Sequence, residues 1–183
     1  MPIGYWEVTL VVLIPAILYA AWIDYTRHRV PNWLTASIAA LGLINQAAFH
    51  GWSGVGVGLL GLLVGFGVLI VPWLMHGMGA GDVKLMAAIG AWLGPWLTLL
   101  SFAAGAIIGG VVAGVMIFAS GRTVHAYANL QTILSKMRRA ETMFSEYGGT
   151  KAFGETSQLL PYGVPLTAGT IGVLLTYYLG GWL

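Results

Sequence analysis

Residues 54–75 read GVGVGLLGLLVGFGVLIVPWLM, a run without a single charged side chain. A helix needs about 20 consecutive apolar residues to cross the hydrocarbon core of a bilayer. Because only helices and closed barrels satisfy their backbone hydrogen bonds there, a run of this length and character points to a membrane helix. Hydrophobic residues make up 58% of the whole chain and charged residues 8%. The sequence therefore predicts an all-α integral membrane protein.

Similar apolar runs lie on both sides of this stretch. The predicted spans are at about residues 5–23, 33–49, 54–75, 82–92, 96–119 and 159–183. Pro31 follows the first span, a turn is expected at residues 50–53, and Gly94-Pro95 ends the short fourth helix. The glycines around residues 56–61 and 105–114 are expected to allow close helix packing. We expect one polytopic domain over residues 1–183 with about six transmembrane helices.

The basic residues predict the orientation of these helices. Cytoplasmic loops of membrane proteins are enriched in Lys and Arg. All eight basic residues fall in alternate loops: Arg27, Arg29, Lys84, Arg122, Lys136, Arg138, Arg139 and Lys151. These loops are therefore predicted to be cytoplasmic, with the N-terminus outside.

The longest polar stretch, at about residues 120–158, is expected to form a cytoplasmic amphipathic loop. Its residues from about 123 to 147 place apolar side chains on one helical face. That segment is predicted either to lie on the inner membrane surface or to form a solvated connecting helix.

Asp24 and Asp82 are the only aspartates in the chain. The predicted topology places Asp24 at the cytoplasmic end of the first helix and Asp82 at the cytoplasmic start of the fourth. Ionisable groups at membrane depth are costly and are often functional. If the two helices pack together, the carboxylates meet in a small polar cavity at the inner edge of the membrane.

Each aspartate also has a structural interpretation. Asp82 is placed to cap the helix that it opens, by accepting from the amides of Val83 or Lys84. Asp24 is placed to pair with Arg27 at a spacing of three residues. Both interpretations stay open at the level of the sequence.

Two glycines precede Asp82 in Gly79-Ala80-Gly81-Asp82. Glycine permits backbone conformations that other residues rarely adopt, and it lets another chain approach closely. An extended peptide substrate would need that access to Asp82.

The segment from Gly77 to Gly94, GMGAGDVKLMAAIGAWLG, resembles the signature of the prepilin peptidases, which are GxGD-type aspartic proteases of membranes. The residues that follow Asp24 and the Pro161-Tyr162-Gly163 segment are similar to the family pattern as well. The resemblance implies that Asp24 and Asp82 are catalytic. It also implies supporting or substrate-binding roles for Gly79, Gly81, Lys84, Arg27, Asn32, Pro161, Tyr162 and Gly163.

The resemblance implies cleavage of the short, basic leader of type IV prepilin-like precursors at the cytoplasmic face of a bacterial inner membrane. Bifunctional members of the family carry an N-terminal region with paired Cys-x-x-Cys motifs and also methylate the new N-terminus. This chain has no cysteine, so it looks like the short, peptidase-only form that serves Flp or tight-adherence pili. Methyltransferase activity is not expected.

The chemistry follows from two carboxylates held close together. Like charges a few Å apart cannot both ionise cheaply, so the pair shares one proton. The ionised member takes a proton from water, and the protonated member hydrogen-bonds the scissile carbonyl. We expect neither a cofactor nor a metal, because the four histidines lack acidic partners at ligand spacing. The expected partners are the precursor peptide and the lipid bilayer, and nucleic acid is not expected to bind. The sequence leaves the oligomeric state open.

Two other function classes remain as alternatives. A small transporter or channel would use the aspartates to bind a proton or a cation. A non-catalytic membrane scaffold of a pilus or secretion assembly would tolerate the loss of either aspartate.

Overall fold

A computed structural model of the chain describes residues 4–27, 30–74, 78–119 and 162–180. Within these ranges every regular element is an α-helix, and no strand occurs among them. The helices are α1 (Tyr5–Arg27), α2 (Asn32–Leu74), α3 (Ala80–Ala119) and α4 (Gly163–Leu179). The prediction of an all-α protein is confirmed for this part of the chain.

Two glycines interrupt the long helices. Gly51 in α2 has φ 63° and Gly94 in α3 has φ 72°, and a positive φ carries a steric penalty for residues with a Cβ. Each of these elements is therefore two helices joined at a kink. The predicted break at Gly94-Pro95 is found, and the turn expected over residues 50–53 is confined to Gly51, since its neighbours are helical.

Three of the helices are long and apolar enough to cross a membrane. These are Tyr5–Arg27, Asn32–Leu74 and Ala80–Met116, with mean hydropathies of 1.9, 2.5 and 2.2. Helix α4 is apolar but shorter. Large apolar side chains are exposed along all four helices, including Val11, Leu63, Ile107 and Leu179. Exposed apolar surface of this extent is typical of a protein that contacts lipid.

The chain divides into two compact units, one formed by Met1–Gly109 and Leu159–Leu183 and the other by Gly110–Gln158. All contacts discussed below lie in the first unit. In the second unit the described residues are 110–119, the last turns of α3. The amphipathic loop predicted at about residues 120–158 falls outside the described residues.

The buried core of the first unit draws on every helix. Helix α1 packs against both α2 and α4. Among the side chains that are almost fully buried are Leu13 and Ile17 of α1, Leu69 of α2, Ile89 of α3 and Leu174 of α4. The amide of Gly163, the first residue of α4, contacts Asp24, so the last turn of α1 lies where α4 begins.

Close helix approaches depend on glycine at only some of the expected positions. A Cβ at Gly61 would overlap the carbonyl oxygen of Gly90, and a Cβ at Gly90 would overlap that of Gly61. This crossing holds the second half of α2 against the first half of α3. Gly105 approaches α4 in a similar way, with its virtual Cβ 3.0 Å from the Cα of Leu166, whereas Gly56 has nothing described within 4 Å.

Candidate active site

Asp24 lies in the last turn of α1, on the face that is directed into the protein. Its side chain is only 6% exposed, and Ile23 beside it is also buried. Arg27, three residues later, is exposed. The end of α1 therefore buries a carboxylate and leaves its basic residue at the surface.

Asp82 lies in the first turn of α3 and is 4% exposed. The amide of Gly79 donates to Asp82 Oδ2 at 3.3 Å, and the amide of Asp82 donates to the carbonyl of Gly79 at 3.1 Å. This reciprocal pair resembles a capping box, in which the third helical residue reaches back to the cap residue. The expected cap from the amides of Val83 or Lys84 is wrong, because the helix begins two residues earlier, at Ala80.

The first residue of α4 brings the two aspartates into one site. The amide of Gly163 donates to Asp24 Oδ2 at 3.3 Å. The same amide lies close enough to the Asp82 carboxyl to interact with it, and Asp24 and Asp82 interact electrostatically with each other. Three helices from distant parts of the chain therefore join two buried carboxylates and one backbone donor.

One carboxylate oxygen of this site has an open acceptor position in the described part of the chain. Asp82 Oδ1 is buried and has no hydrogen-bond partner among the described residues. Most buried polar atoms in proteins do have a partner, and unpaired ones often mark a functional role. This oxygen is the acceptor of the pair that is available to a proton or to a further donor.

The two glycines before Asp82 do not have the unusual backbone conformation that was expected of them. Neither Gly79 nor Gly81 has a positive φ, which among the described glycines occurs at Gly51 and Gly94. A Cβ at Gly81 would lie 3.2 Å from the amide nitrogen of Val30. The segment that approaches Gly81 is therefore the connection between α1 and α2.

Lys84 and Asn32 form a second contact at the same end of the helices. The Lys84 Nζ donates to Asn32 Oδ1 at 2.8 Å, and both residues are exposed. The bond joins the first turns of α2 and α3. Tyr162 precedes α4 and is half-buried, while Pro161 lies outside the described residues.

A polar cluster at the opposite end of α1 was missed by sequence reasoning. It lies about 28 Å along the helix from Asp24, at 1.5 Å per residue. The Tyr5 hydroxyl and Gln46 Nε2 both donate to the carbonyl of Trp92, the latter at 3.1 Å. The signal in the sequence was Asn45-Gln46, two amides inside an apolar helix, and Asn45 Nδ2 donates to Thr9 Oγ1 at 3.2 Å.

Next to this cluster is a cavity of about 300 Å³. It is lined by Tyr5, Trp6, Gln46, His50, Ser53, Gly54, Val57, Leu93 and Leu97. Neither aspartate lines it. In the described ranges no three His, Asp or Glu side chains group in a way that would hold a metal ion.

Comparison with known protein families gives a match over more than half of the chain. A model described as the type IV leader peptidase family matches residues 11–114, which include both aspartates and the turn before α3. Gly163 lies beyond the matched region. No curated protein and no solved structure matches the chain.

Proposed function

Because the chain belongs to the type IV leader peptidase family, we propose that it is an aspartic endopeptidase of the GxGD type that cleaves prepilin-like precursors. It removes a short, basic leader at the cytoplasmic face of a bacterial inner membrane. The catalytic groups are the carboxyl groups of Asp24 and Asp82.

One observation carries this proposal: two buried carboxylates from different helices interact and share a backbone donor. Burying two like charges together is costly unless one of them is protonated. A pair that shares one proton offers a general base and a general acid in the same place. Such a pair can hydrolyse a peptide bond, because one group activates water while the other donates to the carbonyl oxygen.

The reaction needs only these two groups and a water molecule. The ionised carboxylate accepts a proton from water while the water oxygen bonds to the scissile carbonyl carbon. The protonated carboxyl donates to the carbonyl oxygen as its negative charge develops. When the tetrahedral intermediate collapses, the C–N bond breaks and a carboxyl proton passes to the leaving amine. The pair then again holds one proton.

The ends of the helices support the proposed orientation. Arg27 and Lys84 are exposed at the same end as the two aspartates. Under the positive-inside rule, that end faces the cytoplasm. The kinks at Gly51 and Gly94 divide the long elements, so that α1, two halves of α2, two halves of α3 and α4 supply the six proposed spans.

The remaining residues have supporting roles in this proposal. The hydrogen bond between Lys84 and Asn32 connects the start of α3, where Asp82 lies, to the start of α2. Gly79 supplies an amide to Asp82 Oδ2, and Gly81 allows Val30 to pack against the turn. Arg27 and Tyr162 are proposed to flank the bound precursor.

The proposal is tested by co-expression with candidate precursors that carry a short basic leader. The intact mass of each precursor is measured with the wild-type protein, with Asp24→Asn and with Asp82→Asn. Asn keeps the size of the side chain but cannot exchange a proton, so the leader is expected to be lost only with the wild type.

Glu7→Gln is the matched control, because Glu7 is the acidic residue at the opposite end of α1 and is exposed. It is expected to cleave like the wild type. Cleavage by both aspartate variants would contradict the proposed aspartic mechanism. Absence of cleavage by the wild type with every precursor tried would favour the scaffold or transporter alternatives.

A further inference from the structure

The amide of Gly163 donates to Asp24 and interacts with the Asp82 carboxyl as well. We infer that Gly163 is a positioning residue that sets the separation of Asp24 and Asp82, through its N–H group and through the absence of a side chain. The catalytic consequence of this inference rests on the proposed function, whereas its geometric consequence does not.

The N–H group of Gly163 gives the like charges a common donor. It donates to Asp24 Oδ2 and also acts on the Asp82 carboxyl. Hydrogen bonds to a carboxylate are about twice as strong as neutral ones. A donor between two acceptors reduces their mutual repulsion, so the carboxylates can stay close.

The space at Gly163 explains why this position has no side chain. A Cβ there would lie 2.7 Å from Asp24 Oδ2 and 3.2 Å from Asp24 Cγ. These separations are shorter than van der Waals contact, so one of the groups would have to move. Gly163 is helical and has no positive φ. Glycine is therefore needed here for space and not for backbone conformation.

The start of α4 is less able to move than the Asp24 side chain. The Thr167 hydroxyl donates to the carbonyl of Ile17 at 3.4 Å, which ties α4 to α1. Gly169 packs directly on the backbone of Gly105, so α4 also lies close against α3. An added methyl group at Gly163 is thus expected to displace the Asp24 carboxylate away from Asp82.

The composition of the chain permits a direct measurement of this displacement. Since Asp24 and Asp82 are the only aspartates, labelling with aspartate that carries ¹³C at Cγ places one label at each site. The dipolar coupling between the two labels, measured by solid-state NMR in lipid bilayers, reports their separation. Because this coupling falls with the inverse cube of the separation, Gly163→Ala is expected to show a clearly weaker coupling than the wild type.

Gly172→Ala is the matched control. It makes the same substitution in the same helix, where a Cβ would have nothing described within 4 Å. Its coupling is expected to equal that of the wild type. An unchanged coupling in Gly163→Ala, or an equal loss in Gly172→Ala, would overturn the inference.

A double variant covers the case in which Gly163→Ala lowers the thermal stability too far. Asp24→Ala removes Oδ2 and Cγ, the two atoms that the new methyl group would approach most closely. Gly163→Ala is therefore expected to lower the unfolding temperature less in the Asp24→Ala background than in the wild type. Equal losses in both backgrounds would show that Asp24 is not what the methyl group displaces.

Cleavage kinetics link the inference to the proposed reaction. A displacement of about 1 Å at a reacting group costs on the order of 100-fold in rate. Gly163→Ala is expected to lower kcat by about that factor with little change in KM, and Gly172→Ala is expected to change neither. If the wild type cleaves no precursor, the proposed function fails while the NMR result still decides the inference.

Discussion

The two ends of α1 carry polar clusters that balance donors and acceptors in opposite ways. At the Tyr5 end, the carbonyl of Trp92 accepts from two neutral donors, the Tyr5 hydroxyl and Gln46 Nε2. At the Asp24 end, two carboxylates share the amide of Gly163, and Asp82 Oδ1 has no partner in the described residues. In the first cluster both lone pairs of the carbonyl have a donor, whereas in the second the described acceptors outnumber the described donors.

Under the proposed function, this difference separates a structural cluster from a reactive one. The carbonyl of Trp92 lies two residues before the kink at Gly94, where regular helical hydrogen bonding is interrupted. Two donors satisfy it and join three helices, and no atom of the cluster needs to change its protonation state. A site with too few donors costs stability. A catalytic role is one explanation for such an acceptor, because a proton or a reacting group then occupies it.

The largest expected effect is at the acceptor-rich end. Asp82→Asn is expected to lower the cleavage rate by roughly 100-fold to 10,000-fold, the range for loss of a general acid or base. The unfolding temperature is expected to stay within a few degrees of the wild type, because the substituted side chain has the same size. Rates from a purified-precursor assay and circular dichroism melts on the same samples check both values. Unchanged cleavage by Asp82→Asn would mean that the Asp24 end of α1 is not reactive, and it would then not differ in function from the Tyr5 end.

Substitutions at the Tyr5 end of α1 are expected to lower the unfolding free energy and to leave the cleavage rate unchanged. Tyr5→Phe combined with Gln46→Leu leaves the buried carbonyl of Trp92 without either donor. Leaving a buried acceptor unsatisfied costs about 1–3 kcal/mol of unfolding free energy. Denaturant unfolding in detergent measures this loss, and cleavage per folded molecule is expected to match the wild type. A loss of rate without a loss of stability would place a catalytic role at this end.

Single variants at the same carbonyl are expected to cost less than half of the double variant. In Gln46→Leu the Tyr5 hydroxyl still satisfies the Trp92 carbonyl, so the loss is about 0.5–1 kcal/mol. Tyr5→Phe behaves alike for the same reason. A double-mutant cycle should therefore give a non-zero interaction energy, as residues that share a partner usually do. Additive losses would mean that the two donors act independently.

The aspartate end was largely predictable from the sequence because its signals are short motifs or properties of the whole chain. Composition identifies a membrane protein, and the basic residues give both aspartates the same depth. The Gly94-Pro95 break is visible in two adjacent residues. Together these signals predict one depth for Asp24 and Asp82, so that the two meet if their helices pack together.

The details that sequence reasoning missed depend on three-dimensional register. The cap of Asp82 depends on a helix start at Ala80, a shift of two residues that no local pattern specifies. The Gln46 contact with Trp92 spans 46 residues along the chain, and the Gly163 contact with Asp24 spans 139. A single sequence shows that Gln46 is unusual in an apolar helix, but it does not show which carbonyl it reaches.

The smallest expected effect concerns the exposed bond between Lys84 and Asn32, which lies at the aspartate end but outside its buried pair. Exposed hydrogen bonds and ion pairs contribute roughly 0–1 kcal/mol because water competes for both groups. Lys84→Met and Asn32→Ala are each expected to lower the unfolding free energy by no more than that, and their double variant by little more than either alone. Cleavage is expected to fall by less than about tenfold, which corresponds to 1.4 kcal/mol. If either substitution lowered the rate as much as Asp82→Asn, Lys84 would have a direct role in the reaction and not a supporting one. The reactive site would then include the exposed start of α3.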